Sequence, residues 1–194
     1  MAFLHDLTAR GLGEPLLCIL DGNPGLLRAV KQVFPRVRRQ RCQVHKMRNI
    51  LAKLPRLAQR ELKPLLQQVF LAPDYRTALR RGKALLDRFR DRYPSAMECL
   101  EKDLEECLTY LLFPVEHRKR IRTTNLLERT FGESRRRTKV IPRFPGERAC
   151  LTLIFATLIT AAARWRGVRM TPQILRALDA LRPEEAPRKE QAAA

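Results

Sequence analysis

Four side chains able to bind a metal or move a proton stand at turning points of the chain: Asp21 in CILDGNPGLLRAV, Cys42 and His45 in QRCQVHK, and Glu128 in TTNLLER. Asp21 follows Leu16, Leu17, Cys18, Ile19 and Leu20, a run whose composition predicts a strand buried on both faces. Asn23 and Pro24 then read as the N-cap and first position of a helix. Asp21 is thereby placed at the carboxyl end of a strand, where α/β proteins expose functional side chains. A plain Asp-Gly turn has the same sequence. Glu128 also admits two readings: Asn125-x-x-Glu128 fits an N-cap with its capping-box glutamate, and the same residue on a helix facing Asp21 would help hold a divalent ion. On a chain that binds nucleic acid, carboxylates gathered from a strand end and a facing helix point to two-metal phosphoryl transfer. Hard oxygen ligands favour Mg²⁺ or Mn²⁺ over zinc.

Cys42 and His45 carry less. The segment Val37 to Val44 is predicted as a second strand, on which residues of this spacing point to opposite faces, against a catalytic Cys–His pair. A structural zinc site needs two further ligands, and Cys99, Cys107, His5 and His117 offer no second pair at ligand spacing.

The elements that must position these residues follow from proline, glycine and leucine spacing. Residues 3 to 10 read as a helix stopping at the Gly-Leu-Gly of positions 11 to 13, and Pro24 to Phe34 as a helix between the two strands. From His45 to about Phe113 leucines recur at three- and four-residue steps with breaks at Pro55, Pro73 and Pro94, the pattern of an all-helical insertion. A helix is expected from near Asn125 to about Lys139, then an extended link at Pro142 and Pro145, an apolar core helix from Gly146 to Trp165, and a short helix from Pro172 to Leu181. The Pro-, Glu- and Ala-rich residues 183–194 read as a disordered tail.

The 194 residues carry 39 Lys plus Arg against 20 Asp plus Glu, a formal charge of +19, so the expected large partner is a polyanion: nucleic acid before an anionic membrane surface. The excess is concentrated. Residues 36–48 hold six cations and no acid, and residues 117–148 hold eleven against three. Arginine dominates, and its fixed planar fork suits phosphate oxygens. Arg38, Arg39, Arg41, Lys46, Arg48, Arg122, Arg129, Arg135, Arg136, Arg137 and Lys139 are the expected phosphate contacts. Such contacts make binding steeply dependent on salt and mostly indifferent to sequence. No stretch approaches the ~20 apolar residues of a membrane span; Ala149 to Ala163 reads as a buried core helix. The start lacks the order of a secretion signal, and five scattered cysteines without a CxxC pair suit a reducing compartment, so a cytoplasmic location is expected.

Two strings carry a family resemblance: LDGNPGLLRAVKQVFPRVRRQRCQVHKMRN, from Leu20, and FPVEHRKRIRTTNLLERTFGESRRRTKVIPRF, from Phe113. With DG..GL, QRC..H.MRN and RTTN..ER...RRRT in order and a helical insertion before the last, the chain resembles the carboxyl-terminal half of the Mutator-type insertion-sequence transposases, from about Phe3 to Trp165. The resemblance implies a ribonuclease-H-like core with an Asp-Asp-Glu triad that cuts and joins DNA with Mg²⁺. Asp21 matches the second aspartate, Glu128 the glutamate, and Cys42 and His45 a Cys-x-x-His signature near the active site. The family's first aspartate lies upstream of the segment matched by Phe3 to Gly13, and Asp6 does not replace it. The chain is thus expected to be a truncated copy, inactive alone, of a protein that works as a homo-oligomer on transposon ends and target DNA. A non-catalytic DNA-binding remnant, or an inhibitor of transposition, is the alternative.

The expected fold class is α/β but mostly helical: a partial ribonuclease-H-like core in residues 1–48, a helical insertion over 49–116, and the glutamate helix with core helices over 117–182.

Overall fold

The computed structural model describes residues 1–182; the expected tail at 183–194 lies outside the described residues. The chain runs α1 (Ala2–Ala9), β1 (Leu17–Leu20), α2 (Pro24–Val33), β2 (Arg38–Arg41), α3 (Gln43–Leu51), α4 (Arg56–Phe70), α5 (Tyr75–Phe89), α6 (Pro94–Lys102), α7 (Leu104–Leu108), a 3₁₀ turn (Thr109–Leu112), α8 (Val115–Ile121), α9 (Asn125–Thr138), α10 (Glu147–Ala162) and α11 (Pro172–Asp179). It is mostly helical, with one small parallel sheet in which Leu17 pairs with Arg38 and Leu20 with Arg41. No helix among the described residues is long and apolar enough to cross a membrane.

The β1–α2–β2 unit forms where the sequence signals placed it. Asn23 caps α2 by accepting the Leu26 N–H at 3.0 Å, and Pro24 supplies the first helical position. Leu20, Val30, Phe34 and Val37 make a small core that joins sheet and helix. Two expectations change. Only Leu20 of β1 is buried, the rest of the strand being partly covered, because β2 is its one partner and α2 its main cover among the described residues. β2 also ends at Arg41 rather than Val44: Cys42 turns the chain and Gln43 begins a helix.

The larger core is helical. Ala58, Leu62, Leu66 and Val69 give α4 one apolar stripe, Ala78, Leu85, Leu86 and Phe89 give α5 another, and both close over Met97, Leu100, Leu104 and Leu108. Pro55, Pro73 and Pro94 do mark the breaks; a further proline, Pro64, lies inside α4.

Sheet and helical body are joined by buried polar groups. Gln40 and Gln43 both donate through Nε2 to the Cys107 carbonyl at 2.9 Å, and Gln40 Oε1 accepts the Tyr110 N–H at 2.7 Å. Arg41 and Lys46, both buried, meet the Asp103 carboxylate at 3.2 and 2.6 Å. Burial alone would raise the Asp103 pKa, but hydrogen bonds and charge from Lys46 and Arg41 outweigh it and hold the carboxyl below its ordinary value. Burial also pushes the Cys107 thiol far up, leaving it an apolar packing group.

The apolar helix α10 departs from expectation. It packs on α9, but none of its residues is buried among the described residues, and Leu151, Phe155 and Ile159 form an exposed stripe. A helix apolar on every side needs cover on more than one side, and within residues 1–182 it receives it mainly from α9.

Replacing Asp103 with Asn strands Lys46 and Arg41, and the expected cost is about 3 kcal/mol in urea denaturation at neutral pH. A depressed carboxyl contributes stability that is complete above its ordinary value of 3.8 and is lost as pH falls through the lower folded value. The gap between wild type and Asp103→Asn therefore narrows in acid, as denaturation at a series of pH values would show.

Candidate metal and nucleic-acid site

Asp21 leaves the end of β1 on a turn that glycine alone fits well. Gly22 has φ +96°, and a Cβ there would run into the Arg41 guanidinium. Arg41 Nη1 in turn donates to the Asp21 and Leu20 carbonyls. The exposed Asp21 carboxylate accepts the Asn23 N–H at 2.9 Å, so the turn reading of Asp-Gly describes its local role.

Cys42 stands beside Asp21 because each follows the last residue of a strand and those last residues are register partners; the Cys42 N–H donates to Leu20 O at 2.7 Å. α9 arrives at this same edge. The Gln43 N–H donates to Arg122 O at 3.1 Å, and the Thr124 N–H and hydroxyl lie 3.4 and 3.3 Å from Cys42 Sγ. Thr124 Oγ1 is also 2.9 Å from Glu128 Oε1, and His45 Nε2 is 3.5 Å from that oxygen. Cys42, His45 and Glu128 thus offer ligand atoms all within 4.8 Å of one another.

Two local readings are corrected here. The N-cap of α9 is Thr124, not Asn125, and Glu128 takes the Thr124 hydroxyl rather than closing a capping box. Cys42 and His45 do not lie on a continuing strand with opposed side chains. Cys42 caps α3 and His45 occupies its first turn, where residues three apart share a face. Gln43 and Lys46 both turn inward, to the Cys107 carbonyl and Asp103, as helical rather than pleated spacing allows.

The cations divide by environment. Arg41 and Lys46 are engaged with Asp103, Arg39 pairs with Glu106 at 3.1 Å, and Arg38 Nε donates to Leu181 O at 3.1 Å. Arg48, Arg129, Arg135, Arg136, Arg137 and Lys139 are exposed and Arg122 partly so, with Arg136 and Arg137 beside Glu133 at 2.7 and 3.0 Å. Hydrogen bonds from Arg136 and then Arg137 draw the Glu133 carboxyl down to about 2.

A cavity of about 640 Å³ is lined by Arg122 and Arg129, by apolar Val44, Met47, Phe70 and Leu126, and by Lys119, Arg120, Trp165 and Arg166. The last four were missing from the expected contacts. Lys119 and Arg120 lay within the basic run; Trp165, the chain's single tryptophan, is flanked by Arg164 and Arg166.

Residues 1–167 match the model of the Mutator family of transposases. The chain belongs to that family. It is 38% identical over 176 residues to the transposase for insertion sequence element IST2 of Acidithiobacillus ferrooxidans, covering 90% of this chain and 60% of that protein. It is 39% identical over 166 residues to the transposase for IS6120 of Mycolicibacterium smegmatis, covering 85% and 51%. For the transposase for IS406 of Burkholderia multivorans the identity is 40% over 164 residues, covering 84% and 42%. The chain spans about half the length of these curated relatives.

In this Mutator-family chain the turn after Asp21 depends on Gly22. Gly22→Ala is expected to cost about 2 kcal/mol in chemical denaturation, from positive φ and the Arg41 collision together. Gly13→Ala, in open space and without positive φ, is expected to change stability little.

Proposed function

We propose that this Mutator-family chain is the part of a transposase that holds DNA and contributes two carboxylates, Asp21 and Glu128, to Mg²⁺-dependent cleavage and strand transfer in transposition of an insertion sequence. The observation that supports the reading is that Cys42 touches both elements: its N–H donates to Leu20 O, next to Asp21, and its Sγ lies 3.3 Å from Thr124 Oγ1 at the start of α9, while the Asp21 carboxylate stands outside the Cys42, His45 and Glu128 group. Family membership supplies the reaction class, DNA phosphoryl transfer. The β1–α2–β2 unit is read as part of a ribonuclease-H-like core, and the family resemblance implies that the full-length form works as a homo-oligomer on paired ends.

Both carboxylates fit Mg²⁺ or Mn²⁺ as hard oxygen donors, while the neighbouring Cys42 thiol does not. Asp21 and Glu128 would hold the ion. Bound there, it would supply Lewis-acid activation of the attacking oxygen and charge stabilisation at the leaving one. The chain's own part is to place the strand. Arg122 and Arg129 in the cavity, with Arg48, Arg135, Arg136, Arg137 and Lys139 beyond it, would contact phosphates, since Arg39, Arg41 and Lys46 are used within the fold. Trp165 offers an aromatic face to an unstacked base.

A second reading, a DNA binder that does not cut, is favoured by one observation. The Asp21 carboxylate is engaged by its own turn, and Glu128 by Thr124 and His45, rather than by each other.

The expected outcome is salt-dependent binding of duplex DNA by residues 1–194: log K falls linearly with log salt, with a slope near −0.9 per phosphate contact. Arg122→Ala with Arg129→Ala should lower that slope by about 2. A flat response between low and physiological salt contradicts the reading. With Mg²⁺ and DNA alone, the chain is expected to bind without nicking; robust nicking lost in Glu128→Gln would overturn the second reading in favour of the first.

A further inference from the structure

We infer that Cys42, His45 and Glu128 form a site for a thiophilic divalent cation, Zn²⁺ by its donor set, that fastens the first turn of α9 to the β2–α3 junction.

The three ligand atoms come from two elements far apart in sequence and lie within 4.8 Å of one another. Around a tetrahedral Zn²⁺ with bonds of 2.0–2.3 Å, ligand atoms stand about 3.5 Å apart. His45 Nε2 and Glu128 Oε1 are already at 3.5 Å, so closing on an ion needs small side-chain movements. Thiolate, imidazole and carboxylate together suit zinc and exclude Mg²⁺, which takes oxygen ligands. Three protein ligands leave a fourth position, and Glu128, with 40% of its side chain exposed, gives that position access to solvent.

A second observation points the same way. His45 Nδ1 is buried without a hydrogen-bond partner in the structure, while Nε2 faces Glu128 beyond good hydrogen-bond geometry. Nε2, without a good hydrogen bond, is the nitrogen left free to take an ion. Thr124, through its N–H, is placed to donate to Cys42 Sγ and so support the thiolate an ion requires. There is also a reason for the fold to need such a tie: of the fourteen residues of α9, only Thr130 is buried.

The site goes beyond the proposed function and does not depend on it, since ion binding is read without DNA. It does claim Glu128, so an ion held here competes with Mg²⁺ for that carboxylate.

The test is Co²⁺ titration of the full chain after chelation and dialysis. The expected result is one equivalent bound, with a thiolate-to-cobalt charge-transfer band in the near ultraviolet and visible bands of four-coordinate intensity. Zn²⁺ should displace it, and a large excess of Mg²⁺ should not. Cys42→Ser should abolish the charge-transfer band, while Cys18→Ser, Cys99→Ser and Cys150→Ser combined should keep it. Because Cys42 is buried and its variant can fail to fold, far-ultraviolet dichroism accompanies each titration. Glu128→Gln and His45→Gln, at more exposed positions, should each weaken Co²⁺ at least about tenfold, the lower bound from loss of outer-sphere partners. Absence of the band, its survival in folded Cys42→Ser, displacement by Mg²⁺, or unchanged affinity in Glu128→Gln and His45→Gln would each overturn the inference.

Discussion

A single carboxylate neutralising two buried cations is the constraint on which the rest of the structure depends. Arg41 closes β2 and Lys46 lies in the first turns of α3, and both reach Asp103 in front of α7. Beside them the Cys107 carbonyl takes both Gln40 and Gln43. Removing either partner of such a joint leaves charge or dipole buried without compensation, which costs far more than an exposed pair returns. Segment 40–46 can therefore adopt few conformations, and the one it adopts turns residues 40, 41, 43 and 46 toward the helical body.

Cys42 and His45 are what remains on the other side. With the inward positions fixed, these two side chains face the turn from α8 into α9, where Thr124 and Glu128 meet them. The same joint reaches Asp21 through Arg41, whose guanidinium holds the carbonyls of Leu20 and Asp21 and fills the space behind Gly22. Stability and site are thus built from the same arginine, which explains why an expected phosphate contact became an internal one.

Much of this was legible in the sequence. Asn23-Pro24 announced the start of α2, the leucine spacing between the prolines announced the helical body, and Asp21 at a strand end is where it was expected. What failed was local. VRRQRCQV reads as extended to Val44 because it follows a proline and ends in an alternating pattern, whereas Gln40, Arg41, Gln43 and Lys46 are interior groups whose partners, Asp103 and the Cys107 carbonyl, lie about sixty residues away in sequence. A buried polar residue looks like a surface one until its partner is known. The Cys–His pair was undervalued for the same reason: its third companion, Glu128, could be found only once folding had placed α9. The apolar run of α10 read as core by composition, and composition reports a need for cover without saying what supplies it.

The central claim is that this buried joint carries the end of β1 and the first turn of α9 to one place. Paramagnetic broadening by Mn²⁺ in nitrogen-resolved spectra of the amide-labelled chain tests it most directly. The account expects the amides of Asp21, Gly22, Cys42, Thr124 and Glu128 to lose intensity together at the lowest ion concentrations. Broadening that begins at Glu105 and Glu106, or that reaches Glu128 while leaving Asp21 untouched, would contradict it.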